Sequence, residues 1–134
     1  VLEYPAHLLG VYSNNLSGVI IMTLTNQKAV TTGHIFDALP RDLDTELFDI
    51  LVENNNVKIE RIVSNGHSSP DSGWYVQDRN EWVIVLQGEA TIALEDGHTV
   101  SLIAGSHLNI PAHTKHKVIW TKEKTETVWI AVHY

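Results

Sequence analysis

Glu81-Trp-Val-Ile-Val-Leu-Gln-Gly88 and Gly105-Ser-His-Leu-Asn-Ile-Pro-Ala-His-Thr-Lys-His116 decide how this chain is to be read. The first is a carboxylate, an apolar run and a turn glycine. The second is a glycine turn, a short strand, a proline corner and a histidine that opens the next strand. Working outward, short runs rich in β-branched and aromatic residues recur at even intervals: Trp74 to Gln77, Glu81 to Gln87, Ala90 to Leu94, Thr99 to Ile103, His107 to Ile110, Lys115 to Thr121 and Thr127 to His133. Turn residues separate them at Asp78 to Asn80, Gly88, Glu95 to Gly97, Gly105 and Lys122 to Glu126. Short strands with this punctuation predict an all-β sandwich or barrel.

The spacing within the two quoted stretches resembles the cupin superfamily. Its first motif runs Gly, five residues, His-x-His, three or four residues, Glu, six residues, Gly, and its second runs Gly, five residues, Pro-x-Gly, two residues, His. Glu81 to Gly88 matches the end of the first, and Gly105, Pro111 and His116 match the second. The resemblance implies a double-stranded β-helix, or jelly-roll, barrel over residues 33–134. The chain departs from the pattern where a metal would sit. At one allowed spacing Tyr75 and Gln77 stand in place of the two motif histidines, and at the other Trp74 and Val76 do. His113 replaces the glycine of the second motif, and Trp120 stands where Asn often follows.

Cupin sites take their ligands from these positions, so the resemblance implies a divalent Fe, Mn, Ni or Zn ion on Gln77, Glu81 and His116. It also implies Glu81, or a nearby histidine, as the proton-moving catalytic group. Gln is a weak oxygen donor, and His113, His67 or His107 would add nitrogen if their loops folded inward. Tyr75, Arg61, His113 and Trp120 complete the expected pocket, with Arg61 suited to an anionic substrate through its planar guanidinium. The bland reading of Glu81 is a buried carboxylate satisfied by Gln77, Tyr75 or Arg61 without metal, and that of His116 is a core histidine bonded to Glu81. The bland readings of His113 and Arg61 are a surface imidazole and an ion-paired rim group.

Alternation along the strands assigns their faces. Glu81, Val83 and Val85 share one face, as do His116, Val118 and Trp120, and Val128, Ile130 and Val132. On this reading Trp82, Trp129 and His133 point outward, and the two tryptophans suit a homodimer seam. Val57, Ile59, Arg61 and Val63 lie opposite Lys58, Glu60 and Ile62. Leu43, Leu47, Phe48, Leu51 and Val52 fall on one face of a helix over residues 42–53, with Asp42 as its cap. A short N-terminal helix before the barrel is therefore expected.

Residues 1–32 fit the pattern poorly. Met22 is the only methionine, so residues 1–21 read as an upstream extension. The alternative is an added edge strand over Val19 to Leu24. Mass spectrometry of the natively expressed protein beginning at Val1 would overturn the extension.

Composition closes off several classes. The chain has 134 residues, enough for one domain with a real core. A net charge of -7 with nine scattered basic residues argues against a nucleic-acid groove. The absence of cysteine excludes disulfides and thiolate chemistry. No apolar run approaches the roughly 18 residues of a membrane span, and no basic segment opens a signal peptide. A cytoplasmic location is expected. Two functions stay open: metal-assisted oxygenase, isomerase or lyase chemistry on a small organic molecule, or a non-catalytic module that binds or senses a small ligand without metal.

Overall fold

The computed structural model describes residues 30–40 and 43–134. The expected extension over residues 1–21, the alternative strand over Val19 to Leu24, and Asp42 lie outside them. A compact unit, Gly33–Tyr134, holds the eight strands of the described residues: β1 (Leu47–Glu53), β2 (Lys58–Ser64), β3 (Glu81–Gln87), β4 (Glu89–Leu94), β5 (Thr99–Ile103), β6 (His107–Ile110), β7 (His116–Thr121) and β8 (Thr127–His133). They form a five-stranded sheet in the order β1-β2-β8-β3-β6 and a three-stranded sheet in the order β5-β4-β7. Every pairing is antiparallel. The all-β jelly-roll architecture expected from the sequence is the one observed.

Alternating inward side chains build the core between the sheets. Val83 and Val85 of β3, Ala90 and Ile92 of β4, Leu102 of β5 and Trp129 of β8 form its buried cluster. Gly88 makes the tight β3–β4 connection with φ of +82°, and a Cβ there would stand 2.5 Å from Thr127 Oγ1. Both the conformation and the space call for glycine.

The expected helix over residues 42–53 is not present. Leu47–Glu53 is a strand, paired with β2 so that Asp49 faces Arg61 directly and Phe48 faces Ile62. The i, i+4 pattern of Leu43, Leu47 and Leu51 is real. The alternation of Phe48, Ile50 and Val52 competes with it, and the cross-strand charge pair and the β2 ladder decide the outcome.

Two face assignments also change. Along β8 the inward residues are Trp129, Ala131 and His133, whereas Ile130 and Val132 are only half-buried. An irregularity in the β3–β8 register between Val85 and Gln87 accompanies this shift. On β7 a second irregularity, where Thr91 and Ile92 pair with Trp120 and Val118, leaves one extra residue. That residue turns Trp120 out to solvent while Thr121 is buried.

Candidate functional site

A cavity of about 300 Å³ opens into the barrel interior. Its apolar walls come from Ile62, Val83, Ile92, Ile110 and Val118, with Phe48, Tyr75 and Trp129 adding aromatic surface. Its polar groups are concentrated on β2, β3, β7 and β8.

Gln77, Glu81 and His116 meet at one end. Glu81 opens β3, and His116 opens β7 after the proline corner. The segment before β3 is tied to that corner by backbone bonds: Tyr75 N–H donates to the His116 carbonyl at 2.9 Å, His116 N–H to the Tyr75 carbonyl at 3.2 Å, and His113 N–H to the Gln77 carbonyl at 2.8 Å. This clamp sets Gln77 over Glu81, and the Gln77 amide donates to Glu81 Oε2. His116 Nε2 lies 3.3 Å from the same oxygen, while its Nδ1 faces the Thr114 carbonyl at 3.0 Å. A carbonyl only accepts, so Nδ1 carries a proton and Nε2 is the nitrogen presented to Glu81.

Burial opposes both charges, yet they favour each other. Desolvation would raise the Glu81 carboxyl, but the hydrogen bond and charge of His116, the charge of His133 and the Gln77 amide hold it below its ordinary value. Desolvation would lower His116, but Glu81 and the Thr114 carbonyl hold it above its own. Each group therefore favours the charged form of the other.

A second polar group shares the cavity, and the sequence reading did not anticipate it. His133 Nε2 lies 3.0 Å from Glu60 Oε2, and Lys58 Nζ lies 2.9 Å from Glu60 Oε1. Glu46 also lines the cavity, where it accepts from Ser64 Oγ at 2.6 Å. The signal available in the sequence was the alternation of Lys58, Glu60 and Ile62, which shares a phase with the inward face of β2.

Arg61, His113 and Trp120 do not line the cavity. Arg61 lies on the other face of β2, where its Nε donates to Asp49 Oδ2 at 2.9 Å and its Nη1 to the carbonyls of Ile35 and Asp37 at 2.8 Å each. It straps the segment before β1 to the outside of the sheet. His113 is exposed, 3.6 Å from Asp78, and takes the motif glycine's position with φ of 64°. His67 Nδ1 accepts from Asn65 N–H, and the His107 ring packs on Trp82 with centroids 5.6 Å apart. None of the three histidines supplies nitrogen to the interior.

The donor set can now be tested against a metal. It comprises one amide, one carboxylate and one imidazole. Among the described residues no group of three or more His, Cys, Asp or Glu could hold an ion, and none of the buried side-chain polar atoms lacks a partner. Glu81 is closed on His116, and His133 on Glu60. The residues present do not fit a tightly held transition metal, which needs several strong donors free to point at it.

A two-sheet jelly roll with a polar cluster at one end of an apolar interior defines a β-barrel that encloses a cavity. Residues 62–133 match the family model described as the cupin domain. The chain belongs to the cupin family. It is similar at 40% identity to a protein designated a candidate mannose-6-phosphate isomerase from Ralstonia eutropha JMP134, with a TM-score of 0.75 over 78% of this chain and 97% of that one. A cupin superfamily protein from Desulfitobacterium hafniense DCB-2 shares the fold at 20% identity and a TM-score of 0.59, over 71% of this chain and 82% of that one. A conserved protein of unknown function from Streptococcus pyogenes does so at 18% identity and 0.62, over 81% and 90%. No curated relative matches the chain. Among the described residues no helix is long and apolar enough to cross a membrane.

Proposed function

We propose that this cupin binds a small organic molecule inside its barrel without a metal, the polar end of the ligand lying on Gln77, Glu81 and His116. The observation that carries this reading is the cavity: about 300 Å³ of largely apolar space with polar groups converging at one end. Glu81 and His116 are paired within reach of that space, so the same site has a proton acceptor and a proton donor side by side.

The competing reading is metal-assisted isomerase, oxygenase or lyase chemistry, with the ion on Gln77, Glu81 and His116 and Glu81 moving the proton. It is favoured by the meeting of all three side chains at one carboxylate oxygen and by the name of the 40% identical neighbour. Elemental analysis of protein purified without a nickel column, followed by thermal shift with added Fe, Mn, Ni and Zn, separates the two. The proposal expects substoichiometric metal and the same small shift in wild type, Gln77→Ala and His116→Ala. Stoichiometric metal lost in both variants would replace it with the metal-dependent enzyme.

Val52 of β1, 49% exposed and paired with Ile59 after the register shift, lies with the half-buried Ile84, Ile130 and Val132 on the outer face of the five-stranded sheet among the described residues. We infer that the chain is a homodimer through the outer face of this sheet. Light scattering after size exclusion should give twice the chain mass, and a single-chain mass at micromolar concentration would refute it.

A further inference from the structure

The charge and hydrogen-bonding inventory of the cavity selects a class of ligand. Resting on the reading that the barrel interior is the binding site, we propose that its occupant is a small organic cation, a protonated amine on an apolar skeleton, and not a phosphorylated or carboxylated molecule.

The walls carry three carboxylates, Glu46, Glu60 and Glu81, against one ammonium, Lys58, and two imidazoles, His116 and His133. With both imidazoles neutral the cavity is net negative. With both protonated it is only balanced. No protonation state of the histidines makes it positive while the carboxylates stay ionised, so an entering anion meets no excess of positive charge. Burying an unpaired anion in apolar surroundings is strongly unfavourable.

Hydrogen bonding points the same way. The nitrogen donors of the cavity each have an acceptor, Gln77 with Glu81, His116 with Glu81 and the Thr114 carbonyl, His133 and Lys58 with Glu60, and Trp129 Nε1 with Ser64 Oγ, while two Lys58 protons and the Tyr75 hydroxyl have none among the described residues. Acceptors remain. Glu81 bonds through Oε2 and Glu46 through Oε1, which leaves Glu81 Oε1 and Glu46 Oε2 without a hydrogen bond among the described residues. An ammonium group has three donors and no acceptor, the complement of such a site. Phe48, Tyr75 and Trp129 supply the aromatic lining that attracts cations through the ring quadrupole.

Among the described residues the two arginines, whose planar guanidinium suits a phosphate best, lie elsewhere. Arg61 is held by Asp49 on the outer face of β2. Arg79 donates to the Asn55 carbonyl, in a neighbouring hollow lined also by Glu53 and Asp78. The name of the 40% identical neighbour therefore does not carry its phosphosugar to this cavity.

Three matched sets test the proposal by titration calorimetry on the full chain at pH 7.5: benzylamine, benzyl alcohol and benzoate; cyclohexylamine, cyclohexanol and cyclohexanecarboxylate; isobutylamine, isobutanol and isobutyrate, with mannose 6-phosphate as a further anion. In at least one set the amine should bind tenfold or more tightly than its alcohol, and the carboxylate should be weakest. Glu46→Gln should narrow the amine-to-alcohol gap at least threefold with its circular dichroism unchanged. Glu60→Gln provides the same test should Glu46→Gln misfold. Equal binding of amine and alcohol, or tighter binding of any carboxylate or of mannose 6-phosphate, would overturn the cation class and leave the binding cavity standing. Absence of binding across all three skeletons would overturn both.

Discussion

Glu81 and His133 are register partners across β3 and β8, yet each engages a different neighbour: Glu81 pairs with His116 on β7, and His133 with Glu60 on β2. Two carboxylate–imidazole pairs thus lie side by side within one cavity, drawn from four strands. One pair bridges the two sheets and the other lies within the larger sheet. The first ties the barrel walls together.

That bridge should leave a pH signature. Glu81 has a lowered pKa when folded, so its stabilising contribution is present above its unfolded value near 4.5 and is lost as pH falls through the folded value. His116 has a raised pKa, so its contribution is present below about 6.5 and is lost as pH rises through the folded value. The coupling in a Glu81→Gln, His116→Gln double-mutant cycle should therefore peak between pH 4.5 and 6.5. Urea denaturation at pH 3.5, 5.5 and 8.5 should show it shrinking at both extremes, and a coupling independent of pH would contradict the ion pair.

Gly88 should tolerate no side chain. In Gly88→Ala the new Cβ would meet Thr127 Oγ1 at 2.5 Å and Thr127 Cα at 2.7 Å, on a backbone with φ of +82°. Strain and overpacking together should cost about 3 kcal/mol. Gly97 has φ of +88° but nothing within 4 Å of a built Cβ, so Gly97→Ala isolates the conformational part at about 1 kcal/mol. Equal losses in chemical denaturation would show that the Thr127 contact is unimportant.

Most of the barrel was legible because strand alternation and glycine turns are local signals. Thr99–Ile103, His107–Ile110 and Thr127–His133 have the bounds expected from sequence. That Glu81 and His116 converge was legible through motif spacing, which fixes where strands begin. What escaped depended on long-range pairing. Residues 42–53 carry both helical and strand periodicities, and only the β2 partner selects between them. Trp120 was misplaced because one extra residue on β7 reverses every later side chain, and no turn residue marks it. Arg61 was misplaced because its face could be settled only by knowing that Asp49 lies opposite it.

Arg61 should prove structural. It joins Asp49 and two backbone carbonyls before β1, with only 12% of its side chain exposed. Arg61→Ala should lower stability by about 1–3 kcal/mol, since charged hydrogen bonds are lost and Asp49 is left without its partner. Affinity for any cavity ligand should stay within twofold of wild type. A much larger loss of affinity at unchanged stability would return Arg61 to the binding site.

Trp129 offers an optical report on the cavity. It is 3% exposed, lines the cavity and donates from Nε1 to Ser64 Oγ at 3.3 Å, whereas Trp74 and Trp120 are 39% and 44% exposed. Its emission should supply the blue-shifted part of the protein's tryptophan fluorescence, because a buried indole is shielded from water. Trp129→Phe should remove that part and lower stability by about 1–3 kcal/mol through lost volume and a lost hydrogen bond. A ligand entering the barrel displaces water beside this ring, so binding should change the emission of wild type but not of Trp129→Phe. A ligand-induced change that survives in the variant would place the binding event at another tryptophan, outside the barrel interior.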